Sequence, residues 1–159
     1  MHEELSLHIL DLGMNSLAAG ATSISIRVSE DRARDRFALL VRDNGRGMGR
    51  AAFVRALSGR GSTKTGRRRA VGLGLAFLRQ AAEACEGRFR AASLPGHGTV
   101  VAARMRLSHV DRPPLGDLAA TVRALALAAP GARLRVACRA AEETFAFDSQ
   151  TDLNLPSPA

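Results

Sequence analysis

The 159-residue sequence has no tryptophan or tyrosine, 4% aromatic residues in all, two cysteines and one lysine. With so few rings, base stacking along a single-stranded nucleic acid has little to work with. Cys85 and Cys138 lie far apart and in no CxxC spacing, so neither a disulfide framework nor a zinc site is expected, and both read as small core residues. The longest apolar stretch, Leu118 to Pro130, is interrupted by Arg123 and is well short of the roughly 20 residues that span a bilayer. The opening Met1-His2-Glu3-Glu4 has neither a basic nor an apolar leader segment, so no secretory signal is expected and the cytoplasm is the expected compartment. A formal charge of +8 invites a nucleic-acid reading. The positive residues are scattered, however, with one run at Arg67, Arg68 and Arg69, so a solvated surface is the plainer reading and nucleic acid is not the expected partner.

What is present is enough apolar residue, 46%, for one sizeable core. Leu5, Ile9, Leu12 and Leu17 recur at helical spacing before Gly20, which predicts a first helix over 2–17. Ser23 to Val28 alternates strictly, the period of a half-buried strand. A charged loop is expected over 29–36, and a second strand from Phe37 to Val41 runs into Asp43-Asn44-Gly45. A short helix is expected over 50–57, then a loop rich in Gly, Ser, Thr and Arg over 58–69, then a second long helix starting beside Gly72 and Gly74 and ending at Gly87. Strands over 88–94 and 99–107 are joined by Pro95-Gly96-His97-Gly98. Past a boundary at Asp111-Arg112-Pro113-Pro114, the pattern predicts a helix over 115–129, strands over 134–139 and 144–147, and a frayed tail.

Three places carry chemistry. Asp11 and Asn15 are four apart on the first helix, so their Cβ atoms stand about 6 Å apart on one face. The Asn carbonyl oxygen suits Mg²⁺ held jointly with phosphate oxygens, and the Asp could orient a water or hydroxyl, although such a pair also occurs on plain solvent-facing helices. Asp43 ends a strand beside Gly45 and Gly47, where a carboxylate could accept from an exocyclic amine such as that of adenine, or could simply form an Asx turn. Ser62-Thr63-Lys64-Thr65-Gly66 leads into Gly72-Leu73-Gly74 at a helix start, a favourable place for an anion. Neither the P-loop nor the dinucleotide fingerprint fits, because Thr63 stands where the first needs Gly, and Phe77 and Arg50 stand where the second needs it.

Together these segments resemble the GHKL ATP-binding superfamily, which includes gyrase B, the ninety-kilodalton heat-shock chaperone, sensor histidine kinases and MutL. Residues 9–21 look like its N box, 41–48 its G1 box, 72–75 its G2 box, and Gly96-His97-Gly98-Thr99 its last conserved segment. The resemblance implies an α+β fold, a two-layer α/β sandwich with a mixed sheet and helices on one face. It places an ATP-binding domain at 1–110 and a small α-β-β extension at 111–159, packed on or beside it. The region from Ser108 to Asp117 is also similar to small stand-alone bacterial members whose genes accompany iron-hydrogenase or related electron-transfer clusters.

Carried onto this sequence, the resemblance implies ATP and Mg²⁺ as cofactors. Asn15 would hold the metal, Asp43 the adenine amine, and Gly45, Gly47 and Met48 would shape the base pocket. Gly72 and Gly74 would hinge a lid, Lys64 would reach the γ-phosphate from it, and Thr99 would complete the adenine end. Asp11 takes the catalytic position. Hydrolytic members carry Glu there, and the shorter Asp would stand about one methylene further from the attacking water, which implies slow or absent ATPase activity given that placement errors near 1 Å matter. The implied function is an ATP·Mg²⁺-binding regulatory protein that acts as a kinase of the anti-sigma or histidine-kinase type on a separate protein partner. An ATP-gated clamp or weak ATPase controlling dimerisation or partner binding is the alternative, with a homodimer left open.

Overall fold

The computed structural model describes residues 3–59, 73–152 and 154–156. Ten elements follow one another: α1 (Leu5–Ala18), β1 (Ser23–Asp31), β2 (Arg36–Asp43), α2 (Arg50–Leu57), α3 (Leu73–Ala84), β3 (Arg88–Leu94), β4 (Gly98–Arg106), α4 (Leu118–Ala128), β5 (Arg133–Arg139) and β6 (Thr144–Asp148). The six strands form one sheet in the order β3-β4-β2-β1-β5-β6. Every neighbouring pair is antiparallel except β1 with β5, so the sheet is mixed and the expected α+β sandwich is what forms.

Strand alternation decides where the core lies. Ile24, Ile26 and Val28 of β1 and Phe37, Leu39 and Val41 of β2 are buried on one face, while their sequence neighbours point the other way. Over the buried face lie α1, α3 and α4, whose Leu5, Ile9, Leu78, Leu118 and Val122 complete the same apolar cluster. The short α2 buries no residue fully and leans on α3.

Helix α1 begins without a side-chain cap. Its first N–H groups are instead satisfied from a distant segment, Leu5 N donating to Pro114 O at 2.9 Å and Ser6 N to Leu115 O at 2.8 Å. Gly20, with φ at 73°, turns the chain out of the helix as expected.

The hairpin differs from the sequence expectation. The strands run on to Asp31 and resume at Arg36, so the loop expected over 29–36 shrinks to a tight turn. Polar residues there face solvent, where a strand costs nothing in burial, and Asp31 holds the turn by accepting from Arg34 N at 3.0 Å and pairing with the Arg34 guanidinium. Asp35 sits at φ 48° to close it.

The C-terminal elements share the sheet and the core. Asp117 caps α4 by accepting from Ala120 N at 2.8 Å, and β5 lies parallel to β1 from Ser23↔Arg133 to Ser29↔Arg139. Both cysteines are buried free thiols, and burial together with the nearby Glu143 carboxylate pushes the Cys138 thiol up to about 11. No helix among the described residues is long and apolar enough to cross a membrane.

Helix α1 meets α4 at Gly13, where an added Cβ would stand 2.6 Å from both Leu125 methyl carbons. Gly13→Val is therefore expected to lower stability by roughly 1–3 kcal/mol through overpacking. Chemical denaturation should show this, with part of the loss recovered in Gly13→Val combined with Leu125→Ala; a silent Gly13→Val would mean the helices do not meet this closely.

Candidate functional site

A cavity of about 370 Å³ opens between the C-terminal half of α1, the end of β2, the loop after it, and α2. Asn15, Asp43, Gly47, Met48 and Thr99 line it together with Ser16, Arg46, Arg55 and Leu75. Five of the residues singled out from the sequence thus converge on one space.

Asp43 sits where β2 ends, its side chain turned toward the helix layer. Its Oδ1 accepts from the Gly45 N–H at 2.8 Å, the Asx turn expected of an Asp-Asn-Gly series. Its Oδ2 lies 2.6 Å from the Ser16 hydroxyl, which also stands 3.0 Å from the Leu12 carbonyl. One hydroxyl proton cannot serve both, and the nearer, charged oxygen is the stronger acceptor. The carboxylate is both turn-former and cavity wall, with lone pairs left over for a further donor.

The loop after Asp43 is pinned at several points. Arg46 N donates to Ala19 O at 2.9 Å, Gly96 N donates to Arg46 O at 2.7 Å, and Met48 N donates to the Ser93 hydroxyl at 2.8 Å. Asn44 anchors its start, its Oδ1 accepting from both Thr22 N and Ser23 N at 2.9 Å. Gly47 adopts φ 68°, and a Cβ there would run into the Leu94 carbonyl, so the close approach of the 94–98 turn requires glycine. Gly45 is packed against Ala19, where a Cβ would find Ala19 Cβ at 3.0 Å. Thr99 is the register partner of Asp43 on β4, and its hydroxyl is 2.8 Å from that of Ser93.

Asn15 faces the cavity, and its carboxamide makes no hydrogen bond among the described residues. Asp11 lies one turn earlier, half-buried, where a Cβ on Gly74 would come within 3.0 Å of its own Cβ. Gly74 is buried in the first turn of α3, so its lack of a side chain lets α3 approach α1. Lys64, Gly72 and the Arg67-Arg69 run lie outside the described residues.

Residues 3–109 match the family model described as histidine kinase-, DNA gyrase B-, and HSP90-like ATPase. The chain belongs to this family. No curated protein sequence matches it. Among solved structures it is similar to full-length ShkA in complex with AMPPNP, at 21% identity and a TM-score of 0.47, the match covering 62% of this chain and 20% of that one.

For this member of the family, sequence reasoning missed Ser16, Ser93, Arg46 and Arg55. Ser16 follows Asn15 and lies four residues after Leu12 in the buried stripe of α1, a polar residue at an apolar position, which is a readable signal for a buried hydrogen bond. Ser93 and the two arginines carry no such signal, because their roles depend on which strands and helices become neighbours.

His8, one turn before Asp11, does not line the cavity. It is 5% exposed, its ring centroid 5.8 Å from that of Phe77, with Nδ1 buried and without a hydrogen-bond partner among the described residues. Burial pushes its pKa below the ordinary value, against the opposing pull of the Glu3 and Asp11 charges. The ring is therefore held neutral when folded, whereas the unfolded chain takes up a proton near pH 6.5. Its contribution to stability is full above that value and is lost as pH falls from about 6.5 toward the lower folded pKa. Thermal melts across this range should show the advantage of wild type over His8→Leu shrinking as pH drops; a constant gap would mean the ring is free to ionise in the fold.

Proposed function

We propose that the cavity binds ATP with Mg²⁺ and that the protein is a regulatory kinase, of the anti-sigma or histidine-kinase type, acting on a separate protein partner. The convergence of Asn15, Asp43, Gly47, Met48 and Thr99 on one cavity carries this reading. Its volume of about 370 Å³ lies within the range of about 300–1,000 Å³ usual for small-molecule sites.

In this reading the adenine amine donates to Asp43, whose orientation is already held by Ser16 and the Gly45 N–H. Gly45 and Gly47 keep the loop close, Met48 packs on the base, and Thr99 closes the purine end. The carboxamide oxygen of Asn15 suits Mg²⁺ as a hard neutral ligand. Arg46 and Arg55 at the cavity supply positive charge for an anionic ligand. Lys64, Gly72 and Gly74 are assigned to a lid over the phosphates, and Asp11 to orienting the hydroxyl that accepts the γ-phosphate.

One observation favours the clamp as a second reading. The helix that carries Asn15 also packs through Gly13 against Leu125 of α4, so a shift of α1 on nucleotide binding would reach the C-terminal elements directly.

Calorimetry with Mg·ATP tests the site. Asp43→Ala is expected to weaken binding at least about tenfold, or about 1.4 kcal/mol. Asn15→Ala should weaken binding much more with Mg²⁺ present than with a chelator. Full affinity in the Asp43 variant would overturn the reading. Incubation with γ-labelled ATP, alone and with cell lysate, then separates the activities: label on a partner supports the kinase, released phosphate a weak ATPase, and binding without transfer the clamp.

A further inference from the structure

The face of the sheet turned away from the helices is basic and uncovered. Alternation places Arg27 of β1, Arg42 of β2, Arg90 of β3, Arg104 of β4 and Arg135 and Arg139 of β5 there, all exposed, with Arg88 at the β3 edge. The strand registers join them into rows. Arg27 is paired with Leu40 and Ala137, Leu40 with Ala102, and Ala102 with Arg90. One step along, Arg42 stands between Ser25 and Val100, and Ser25 is paired with Arg135. At the usual strand spacing the face is roughly 25 Å across.

The carboxylates around this face are engaged by other arginines, of which Arg36, Arg106 and Arg133 share the same outward alternation. Asp31 pairs with Arg34 and Arg36, Asp35 and Glu86 with Arg106, and Asp148 with Arg133. Arg135 stands opposite Asp148 in the β5–β6 register and helps hold that carboxyl below its usual value, and among the described residues none of the other six arginines above forms an ion pair. Two like-charged pairs sit directly opposite one another and make the contrast. Arg36 faces Arg106 with carboxylates on both, whereas Arg88 faces Arg104 with none. Like charges so placed repel, and no ion pair among the described residues offsets the second pair.

The character of the face selects its partner. Its arginines alternate with Leu40, Val100 and alanines, the combination of apolar contact and Arg that marks protein interfaces. No aromatic ring lies on it, since Phe37, Phe89, Phe145 and Phe147 fall in the opposite alternation, so stacking on bases has no platform. It is also a strand surface with no helix presented to enter a groove. A second copy would bring the same positive face against it. We propose that the open face of the sheet is a docking surface for an acidic protein surface, whose carboxylates pair with these arginines while its apolar groups cover Leu40 and Val100. This surface lies across the sheet from the nucleotide cavity and does not depend on that reading.

Binding to a short peptide of repeating Glu-Glu-Leu-Ala, followed by fluorescence anisotropy and amide shift mapping, tests it, with a duplex DNA as the competing probe. Arg27→Glu combined with Arg135→Glu should weaken the peptide at least about tenfold, and Leu40→Gln should weaken it severalfold. Arg50→Glu combined with Arg123→Glu, on helices α2 and α4 of the opposite layer, makes the same change in net charge away from the face and should have little effect. Thermal melts establish that each variant is folded. Equal losses in the two double variants, shifts confined to other surfaces, no peptide binding, or tighter DNA binding lost in the same face variants would each overturn the proposal.

Discussion

The contact between the Ser16 hydroxyl and the Asp43 carboxylate, at 2.6 Å, is the point from which the cavity is built. It joins the helix layer to the sheet at the one place where β2 stops and the backbone must leave the ladder. Asp43 is thereby held by α1 on one oxygen and by its own turn on the other. Removing either donor would leave a partly buried charged oxygen underserved, which costs more than the net value of the bond itself. The same helix then supplies Asn15 one residue earlier and the Ala19 carbonyl that receives Arg46 N. A single rigid element therefore sets the distance between the group suited to a metal and the group suited to a base amine.

Close backbone approach does the rest. The turn over residues 94–98 presses against the loop after Asp43, with Gly47 and Gly98 both at positive φ and both without room for a Cβ. Gly98 abuts the Asp43 carbonyl, and Gly47 abuts that of Leu94. These glycines act as spacers, bringing two loops near enough for Ser93 to bond both Met48 N and Thr99. Their substitution would move walls of the cavity before it touched any ligand.

Much of this was readable in the chain. Helical spacing located α1 and α3, strict alternation located β1, and Arg50–Leu57 was bounded as found, because each pattern reports a local period that burial then enforces. Asn15, Asp43, Gly47, Met48 and Thr99 were legible as a set only through their order and resemblance, since each alone had an ordinary reading. What stayed hidden is non-local. Capping of α1 by Pro114 and Leu115, the parallel docking of β5 on β1, and the Ser93 bridge all join residues distant in sequence, and no local period encodes them. The hairpin is longer than the pattern implies for a related reason: Ser29, Glu30 and Asp31 of β1 are polar and only half-buried, so hydrophobic alternation cannot mark them, and it is their pairing with Ala38, Phe37 and Arg36 that makes them strand.

A strand's period of two commits every residue of the sheet to one side. The helix-facing side here is spent on the core and, at its edge, on the cavity, so any macromolecule that the sheet meets must meet its other face. That face could have been neutral at no cost to the core, because a solvent-facing strand position accepts Ser, Thr or Gln as readily as Arg. Instead it carries arginines on every strand from β3 to β5: Arg36, Arg106 and Arg133 are ion-paired with Asp31, Asp35, Glu86 and Asp148, and Arg135 stands opposite Asp148 in register, while Arg27, Arg42, Arg88, Arg90, Arg104 and Arg139 form no ion pair among the described residues. The positive charge left over beside Leu40 and Val100 is the layout in which counter-charge is supplied from outside.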